Sequence, residues 1–225
     1  PANPRQIAMD LASLFALAWP MLLKGTGYTL LFAVASMIFG LPLAGLVTLI
    51  RVLQVWGLSS LMALYVSVIR GTPLLVQIFI FYYGLPSVGI ELSPITAGIL
   101  TLTLNVAAYM SETLRGSINA VTQGQWQAGT SLGLTRDQTL RYVVGPQALR
   151  AAVPSLSNSL ISLIKDTSLV SVIAVTELML ATKELISTTF QPFPLYLAAA
   201  AIYWVLSLSF EQIQRWMEKR VAYPY

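Results

Sequence analysis

The sequence predicts an all-α, polytopic membrane protein with about five transmembrane helices, organised as a single domain over residues 1–225. Only 10% of its residues are charged, against roughly 25% in soluble domains, so the chain has too little charge to cover a surface in water. The mean hydropathy is +0.72. The run 25–50 carries no charge and exceeds the ~20 apolar residues that a spanning helix needs. It is the first predicted span.

Apolar runs and helix-start signals place the other spans. Ser93 is expected to cap span three, with Pro94 in its first turn. Ahead of span one, apolar residues at helical spacing predict a separate interfacial helix. The residues of this helix are Ile7, Leu11, Leu14, Phe15 and Ala18. Spans two to five are expected at 57–85, 94–119, 151–178 and 194–210.

Basic residues near the span ends predict the orientation. With the N-terminus outside, eight of them lie on the inner side and three on the outer side. Cytoplasmic loops carry the excess of Lys and Arg. We therefore expect the N-terminus outside, the C-terminus in the cytoplasm and the polar segment 122–150 as a cytoplasmic loop. The inner residues are Arg51, Arg115, Arg136, Arg141, Arg150, Arg215, Lys219 and Arg220, and the outer ones are Arg5, Lys24 and Lys183.

The loop 122–150 has the pattern of two short helices joined by a glycine turn. Thr122–Gln125 and Thr135–Gln138 each fit a capping box, in which the threonine and the glutamine satisfy free backbone amides. Gly133 suits the left-handed position after the first helix. Gly145-Pro146 is expected to end the second helix. Helices this short are unstable without packing, so the chain itself or a partner must hold them.

Three interpretations fit this loop. Its small residues could enter a groove of a partner protein, with two larger side chains as anchors. The loop could instead only fold back beneath the membrane. A DNA-binding helix-turn-helix also fits, but the second helix offers only Arg136 and Arg141, and both ends are tied to the bilayer, so we reject it. The residues expected to touch a partner are Trp126, Gln127, Ala128, Gly129, Leu132 and Gly133.

The loop resembles the EAA coupling loop of ABC-type importer permeases, which reads Glu-Ala-Ala, three residues, then Gly. The chain has Gln127-Ala128-Gly129, three residues, then Gly133. Two letters differ: Gln127 is neutral where a glutamate is expected to meet basic groups of the ATPase, and Gly129 weakens the helix by ~0.8–1 kcal/mol. Other strings resemble the polar amino-acid uptake branch: RGTPLLVQ (70–77), YYGLP (82–86), LNVAAYMSETLR (104–115), PQALR (146–150) and KDTSLVSVI (165–173). A further set is most similar to the L-cystine permeases: KGTGYTL (24–30), GIELSPI (89–95), ETLR (112–115), GQW (124–126) and YLAAAAIYW (196–204).

This resemblance implies the membrane-spanning permease subunit of an ATP-driven amino-acid importer in the bacterial inner membrane. It implies alternating access coupled through residues 123–144, separate ATPase subunits that hold ATP and Mg, and an extracytoplasmic solute-binding protein. It also implies a second permease copy, either identical or related. The 225 residues contain no G-x-x-x-x-G-K-[ST] string, so ATP is expected on the partner and not on this chain. We expect no cofactor, metal or nucleic acid to bind this chain, only the amino-acid substrate and membrane lipid.

Polar residues inside the predicted spans are candidates for the solute path, because such groups are costly in a bilayer. A helical rise of ~1.5 Å per residue places them near or below the midplane. One stripe of span three is expected to face a wall from span four. Together the two offer positive charge, negative charge and neutral hydrogen-bond donors. The candidates are Asn105, Tyr109, Glu112, Lys165, Asp166, Thr167 and Ser168.

Structural roles stay open for several charges at this stage. Neighbours could neutralise Lys165 and Asp166 without any contact to solute. Glu112 could simply pair with the arginine three residues later. Arg70, which precedes a proline kink, is expected to bond freed backbone groups and not the solute. Glu177 could serve an external gate or the docking of a binding protein.

Two other classes of function remain as alternatives. An ion-coupled secondary transporter would use Asp166 and Glu112 as ion or proton sites and would work without an ATPase. It leaves the coupling-like loop unexplained, and the paired repeats common in such carriers are absent from the sequence. An intramembrane enzyme would need carboxylates, Lys or Ser as catalysts, since the chain has no His or Cys. No arrangement of these favours a reaction, so no catalytic residue is predicted.

Overall fold

The computed structural model describes residues 10–221, and these form helices joined by short turns with no strand among them. The all-α prediction is confirmed over this range. Two π-helical turns, Ile80–Gly84 and Leu140–Val144, and two 3-10 segments, Leu85–Val88 and Thr167–Ile173, interrupt the pattern. In chain order the helices are α1 Leu11–Val52, α2 Leu58–Gly71, α3 Leu74–Phe79, α4 Pro94–Ala120, α5 Gln123–Ser131, α6 Arg136–Thr139, α7 Gly145–Asp166, α8 Leu178–Thr189 and α9 Pro192–Val221.

Three helices, α1, α4 and α9, are long and apolar enough to cross a membrane. The bent pair formed by α2 and the segment 74–88 would be a fourth if it is one span. Helix α7 has 22 residues, which makes it about 33 Å long and sufficient for the bilayer core. Its Ser, Asn and charged residues lower its apolarity. The number of five spans therefore stays a prediction.

Within the described residues no separate interfacial helix precedes span one, because α1 runs without a break from Leu11 to Val52. Leu14 and Ala18 are fully buried and pack in a cluster with residues of α8 and α9, including Leu195. The apolar spacing in this region therefore serves the protein core. Ile7, which was expected in the interfacial helix, lies outside the described residues.

Predicted span two is broken. Helices α2 and α3 meet at a bend of 109°, around Thr72 and Pro73. Proline has no amide hydrogen and restricts the residue before it to an extended conformation. Thr72 accordingly has φ −119° and ψ 147°, so the helix stops at Gly71.

Predicted span four is also shorter than expected. Helix α7 ends at Asp166 and not near residue 178, and a 3-10 segment follows to Ile173. Ala174 then takes a left-handed conformation with φ 59°. This reversal separates α7 from α8, which the sequence patterns did not reveal as a helix of its own.

The central core lies between α1, α4, α7 and the 3-10 segment that follows α7. Helix α4 packs most extensively against α1 and next against α7. Phe32 of α1 and Met110 of α4 are fully buried, and they belong to the same cluster as Ile164 at the end of α7. The end of α7 and the 3-10 segment that follows it therefore pack against an apolar core, which can hold irregular backbone in place.

Glu177 caps α8 inside the protein. Its carboxylate is fully buried and accepts hydrogen bonds from the backbone amides of Met179 and Leu180, both at 2.9 Å. The hydroxyls of Tyr203 and Thr29 donate to it at 2.8 and 3.4 Å. A carboxylate with four donors joins α1, α8 and α9, so Glu177 does not present itself to a gate or to a docking protein.

The segment 122–150 keeps its predicted outline with two differences. Thr135 forms the expected capping box with Gln138, and Gly133 has the expected left-handed φ of 78°. Thr122, in contrast, makes no side-chain cap. Gly145-Pro146 does not end a helix either, because a π turn leads straight into α7 and the proline takes an early position that needs no amide hydrogen.

Candidate functional site

A polar cavity of about 840 Å³ lies where two helices break. One side comes from the α2–α3 bend, and another from α4. The third wall is α7, up to its end at Asp166, with Gln214 of α9 nearby. Irregular backbone at membrane depth is tolerated where it lines a cavity, and discontinuous helices commonly form solute sites. The two breaks therefore mark this cavity as the candidate site.

The predicted stripe of α4 does line this cavity. Asn105, Tyr109 and Glu112, spaced four and three residues apart, all contribute to its wall. Asn105 donates a hydrogen bond of 3.0 Å to the side chain of Gln77. Tyr109 is 45% exposed and its hydroxyl makes no hydrogen bond within residues 10–221. In this stripe the Asn105 side chain serves the structure, whereas the Tyr109 hydroxyl is available to a ligand.

Glu112 is held by basic residues. Its carboxylate pairs with Arg51 of α1 and, at 2.8 Å, with Arg115. Arg70 lies further away, at 3.7 Å. The expected pairing with Arg115 is confirmed, and Arg51 adds a bond between α1 and α4 that sequence spacing could not indicate. Because two arginines occupy the carboxylate, Glu112 has little capacity left for a cationic ligand.

Arg70 faces the cavity, and the expectation that it bonds the kinked backbone is wrong. Gln77 does that work: its amide nitrogen donates to the carbonyl of Ile69 at 2.7 Å and to that of Thr72 at 3.1 Å. The Arg70 guanidinium instead lies 5.3 Å from the centre of the Tyr109 ring. Its side chain is 43% exposed, so this cation is accessible from the cavity.

Helix α7 contributes an almost uncharged wall that ends in one carboxylate. Asp166 lines the cavity and forms neither a hydrogen bond nor a salt bridge with any residue in the range 10–221. The remaining polar groups of this wall are at one-turn spacing on one face of the helix. They are Ser155, Asn158, Ser159 and Ser162.

Three predicted residues do not line the cavity. Lys165 is exposed on another face of α7. Thr167 is fully buried and donates its hydroxyl to the carbonyl of Ile164 at 2.7 Å. Ser168 is half-buried outside the lining. A helix places adjacent residues about 100° apart, so Lys165 and Asp166 could not share one face.

The sequence carried a signal for the missed wall. Residues 155, 158, 159, 162 and 166 are polar at positions i, i+3, i+4, i+7 and i+11 of a predicted membrane span. This is the spacing of a single helical face. Such a stripe is the polar counterpart of the apolar stripe that predicts a buried face.

The loop packs on the chain itself more than the sequence suggested. Gly129 is buried, and a Cβ built on it would lie 2.5 Å from Cγ2 of Thr139. Only glycine fits there, because α5 rests directly on the end of α6. Gly129 therefore serves the fold of the loop and is not presented to a partner. Its neighbour Ala128 is exposed.

The other predicted loop residues differ in exposure. Leu132 is 79% exposed, which is unusual for a leucine in a polar segment. Gln127 and Gly133 are exposed, whereas Trp126 is half-buried. Leu132 and its exposed neighbours thus form the face that a partner could reach.

The loop is attached to the helices that build the cavity. Arg136 donates to the carbonyl of Val52 at the end of α1, at 3.3 Å. Gln147 in the first turn of α7 bonds Gln125 of α5 at 3.1 Å. Helix α7 runs from the loop at Gly145 to Asp166, with Pro154 inside it, so the loop and the cavity wall belong to one helix.

Comparison with known proteins identifies the family. The family model described as binding-protein-dependent transport system inner membrane component matches residues 40–223. The chain belongs to this family. It is therefore a multi-pass inner-membrane transport component, and the family's dependence on a binding protein favours this class over a secondary carrier that works alone.

Named members of the family are similar over most of the chain. The L-cystine transport system permease protein TcyB of Bacillus subtilis (strain 168) is 43% identical over 90% of this chain and 87% of its own length. The glutamine transport system permease protein GlnP of Escherichia coli (strain K12) is 36% identical over 91% of this chain and 94% of its own length.

Solved structures of transporters share the fold. The crystal structure of an amino acid ABC transporter with histidines matches with a TM-score of 0.89 at 33% identity, covering 94% of this chain and 99% of that one. An inward-facing MetNI methionine ABC transporter matches with a TM-score of 0.66. At 17% identity, the second match concerns the fold alone. The first match, together with the family, supports a permease of the ABC importer type, and the second supports the fold only.

Proposed function

We propose that this family member is the permease subunit of an ATP-driven amino-acid importer and that its polar cavity takes the substrate in transit. The observation that carries the proposal is that one cavity is lined by both an accessible cation, Arg70, and a carboxylate without an ion-pair partner, Asp166. An amino acid brings a carboxylate and an ammonium. The names of the similar permeases point to the same class of solute.

The two charges suit the two ends of a zwitterion. A guanidinium binds a carboxylate through two parallel hydrogen bonds, and Asp166 can accept from the substrate ammonium. Tyr109, which stacks with Arg70, limits the positions that the guanidinium can take. Glu112 keeps Arg51 and Arg115 away from the substrate and does not bind it.

The coupling side of the proposal concerns the loop. We assign it to the cytoplasm, with the N-terminus outside, because of the distribution of basic residues. Separate ATPase subunits carry ATP and Mg and bind the exposed face around Leu132, Gln127 and Ala128. An aromatic or aliphatic anchor in a groove is typical of such contacts.

The proposed assembly has two permease copies, identical or related, with an extracytoplasmic solute-binding protein above them. ATP binding draws the two loops together and opens the cavities to the outside. Hydrolysis returns them to the inward-open state. Each state is stabilised by different contacts, as two-state switching requires.

L-cystine is the proposed substrate, on the basis of the similarity to TcyB over most of both chains. Glutamine, from the similarity to GlnP, is the competing assignment. A measurement of which amino acid stimulates ATP turnover by the reconstituted transporter separates the two.

Uptake by variants of the complete transporter tests the proposed site. Arg70→Gln and Asp166→Asn each remove one charge that the substrate needs, and hydrogen bonds to charged groups contribute ~1.5–3 kcal/mol. Uptake at sub-saturating substrate is therefore expected to fall at least about tenfold, while the subunits still assemble.

Lys165→Gln is the matched control, since it removes a charge next to Asp166 but outside the cavity. Its uptake should stay near that of the unchanged protein. Normal uptake by both cavity variants, or a loss in the control as large as theirs, would refute the assignment.

A further inference from the structure

Three arginines from three helices surround one carboxylate of α4. Glu112 pairs with Arg51 at the end of α1 and with Arg115 on α4 itself. Arg70, at the end of α2, lies 3.7 Å from the same carboxylate. The side chains of Arg51 and Glu112 are 17% and 18% exposed, whereas that of Arg70 is 43% exposed. The pair of Arg51 and Glu112 is therefore the shielded part of the cluster, and Arg70 is the part that the cavity can reach.

The two oxygens of Glu112 are largely occupied. Arg115 donates from Nε to Oε1 at 3.2 Å and from Nη2 to Oε2 at 2.8 Å, and Arg51 also donates to Oε1. Arg70 approaches only Oε2, and its distance of 3.7 Å exceeds that of a hydrogen bond. Opposite charges this close still attract each other. The hold of Glu112 on Arg70 therefore depends on how firmly the other two arginines engage the carboxylate.

Arg51 connects this cluster to the loop 122–150. The carbonyl of Val52, the next residue, accepts a hydrogen bond from Arg136 of the loop at 3.3 Å. Arg70 and Glu112 line the cavity, whereas Arg51 does not. A movement of the loop that displaces the end of α1 thus changes the contact of Arg51 with Glu112 without any contact to the substrate.

We propose that Arg51 is a positioning residue: by holding the Glu112 carboxylate it leaves Arg70 free for the substrate, so that the position of the end of α1 sets the affinity of the cavity. This inference rests on the proposed function, in which Arg70 binds the substrate carboxylate. When Arg51 is drawn away, Glu112 turns to Arg70 and competes with that carboxylate, and the substrate is released. Coupling of this kind is reciprocal, so a bound substrate also favours the contact of Arg51 with Glu112.

Direct binding of substrate to the permease–ATPase complex tests this inference. The complex is placed in nanodiscs without nucleotide, and radiolabelled L-cystine and glutamine, the two proposed substrates, are the probes. Arg51→Gln should weaken binding about three- to fivefold, the size expected of one partly exposed ion pair. Glu112→Gln should strengthen binding by a similar factor, because Arg70 then has no competitor for the substrate carboxylate.

The double variant with Arg51→Gln and Glu112→Gln separates a shared carboxylate from a general effect of charge. If Arg51 acts through Glu112, its removal changes nothing once Glu112 is neutral. The double variant should therefore bind as tightly as Glu112→Gln alone. Two independent effects of charge would instead add, and the affinity would return towards that of the unchanged complex.

Arg215→Gln and Glu211→Gln are the matched controls. These two residues form an ion pair of 3.4 Å on α9, outside the lining of the cavity, and neither change should alter the affinity. If Arg51→Gln prevents assembly with the ATPase, Arg51→Lys takes its place. Lysine keeps the charge but lacks the planar fork of arginine, so it should weaken binding in the same direction by a smaller factor.

The outcomes separate this inference from the proposed function. Weaker binding in both single variants would mean that the pair only supports the fold, and additive effects in the double variant would mean that charge acts without sharing. Either result would overturn the role of Arg51 and leave the importer standing. Failure of the complete, unchanged transporter to import any amino acid would overturn both.

Discussion

At the scale of single residues, side-chain amides and carboxylates hold together a protein with few charges. Gln77 is the clearest case, because it bonds two freed carbonyls at the α2–α3 bend and receives a bond from Asn105. It is 4% exposed. The bend that shapes the cavity therefore depends on one buried side chain and not on the proline alone.

Replacing Gln77 by Leu should destabilise the permease. The carbonyls of Ile69 and Thr72, which lie at a part-buried bend, lose their donor, and a group left unpaired there costs at most ~1–3 kcal/mol. The thermal unfolding of the purified complex should shift to lower temperature. Gln123→Leu, at an exposed position of α5, is the control and should unfold as the unchanged protein does. An equal effect of both would contradict this role.

Tyr203→Phe should weaken the joint of α1, α8 and α9. It removes the hydroxyl that donates to Glu177 at 2.8 Å and keeps the ring. The buried carboxylate loses one of its four donors, for a cost of ~1–3 kcal/mol. Tyr196→Phe makes the same change on α9, at a residue that is 46% exposed. Thermal unfolding should distinguish the two, and identical curves would show that the hydroxyl of Tyr203 is not needed.

Residue roles were the part of the site that sequence patterns predicted least well. Asn105, Tyr109 and Glu112 could be predicted to share a face because helical spacing fixes their direction. The partners of Glu112 could not, since Arg51 lies 61 positions away in the chain. Gln77 has the role that was expected of Arg70, because which side chain reaches the freed carbonyls depends on the geometry of the bend.

At the scale of helices, the continuous path from the loop into α7 depends on the π turn before Gly145. A Cβ at Gly145 would lie 2.6 Å from the carbonyl oxygen of Leu140, closer than real Cβ atoms come. Glycine thus permits the turn that aligns α7 with the loop. The following proline, which the sequence suggested as a stop, is tolerated because it occupies an early position of α7.

Gly145→Ala should impair the transmission of movement between the loop and α7. The added methyl group forces the turn to shift, and such overpacking costs ~1–3 kcal/mol. We expect more ATP to be hydrolysed per amino acid imported. Gly116→Ala in α4 is the control, because a Cβ there meets nothing within 4 Å. An unchanged ratio of hydrolysis to uptake in Gly145→Ala would contradict the role of the turn.

Helix existence could be predicted from apolar runs, whereas helix ends within the membrane could not. The start at Ser93 was predictable because a side-chain cap is a local feature, and Ser93 indeed accepts from the amide of Thr96. The end of α7 at Asp166 has no local signal. It follows from packing of the 3-10 segment against the core, which is a property of the whole fold.

At the scale of the whole molecule, the loop 122–150 is connected through α7 to the wall of the cavity. The loop is tied to α1 by Arg136 and to α7 by Gln147. Helix α7 then carries the neutral wall and Asp166. A partner that moves the loop therefore moves the wall on which the proposed substrate rests.

Leu132→Ser should weaken assembly with the ATPase while leaving the permease folded. The side chain is 79% exposed in the single chain, so its removal costs the fold little, and anchors in interfaces contribute ~2 kcal/mol or more. The affinity should fall by about 30-fold. Ser131→Ala, at the adjacent exposed residue, is the control. Unchanged affinity in Leu132→Ser would place the docking face elsewhere.

The access of solvent to the cavity wall tests the central claim most directly. The chain has no cysteine, so Ser155→Cys introduces a single reactive thiol on the wall. Its labelling by a membrane-impermeant maleimide is measured in the complete transporter in proteoliposomes, from each side, with and without ATP. The account predicts labelling from the cytoplasmic side without nucleotide and from the outer side with ATP and the solute-binding protein. Labelling that ATP does not change would contradict it.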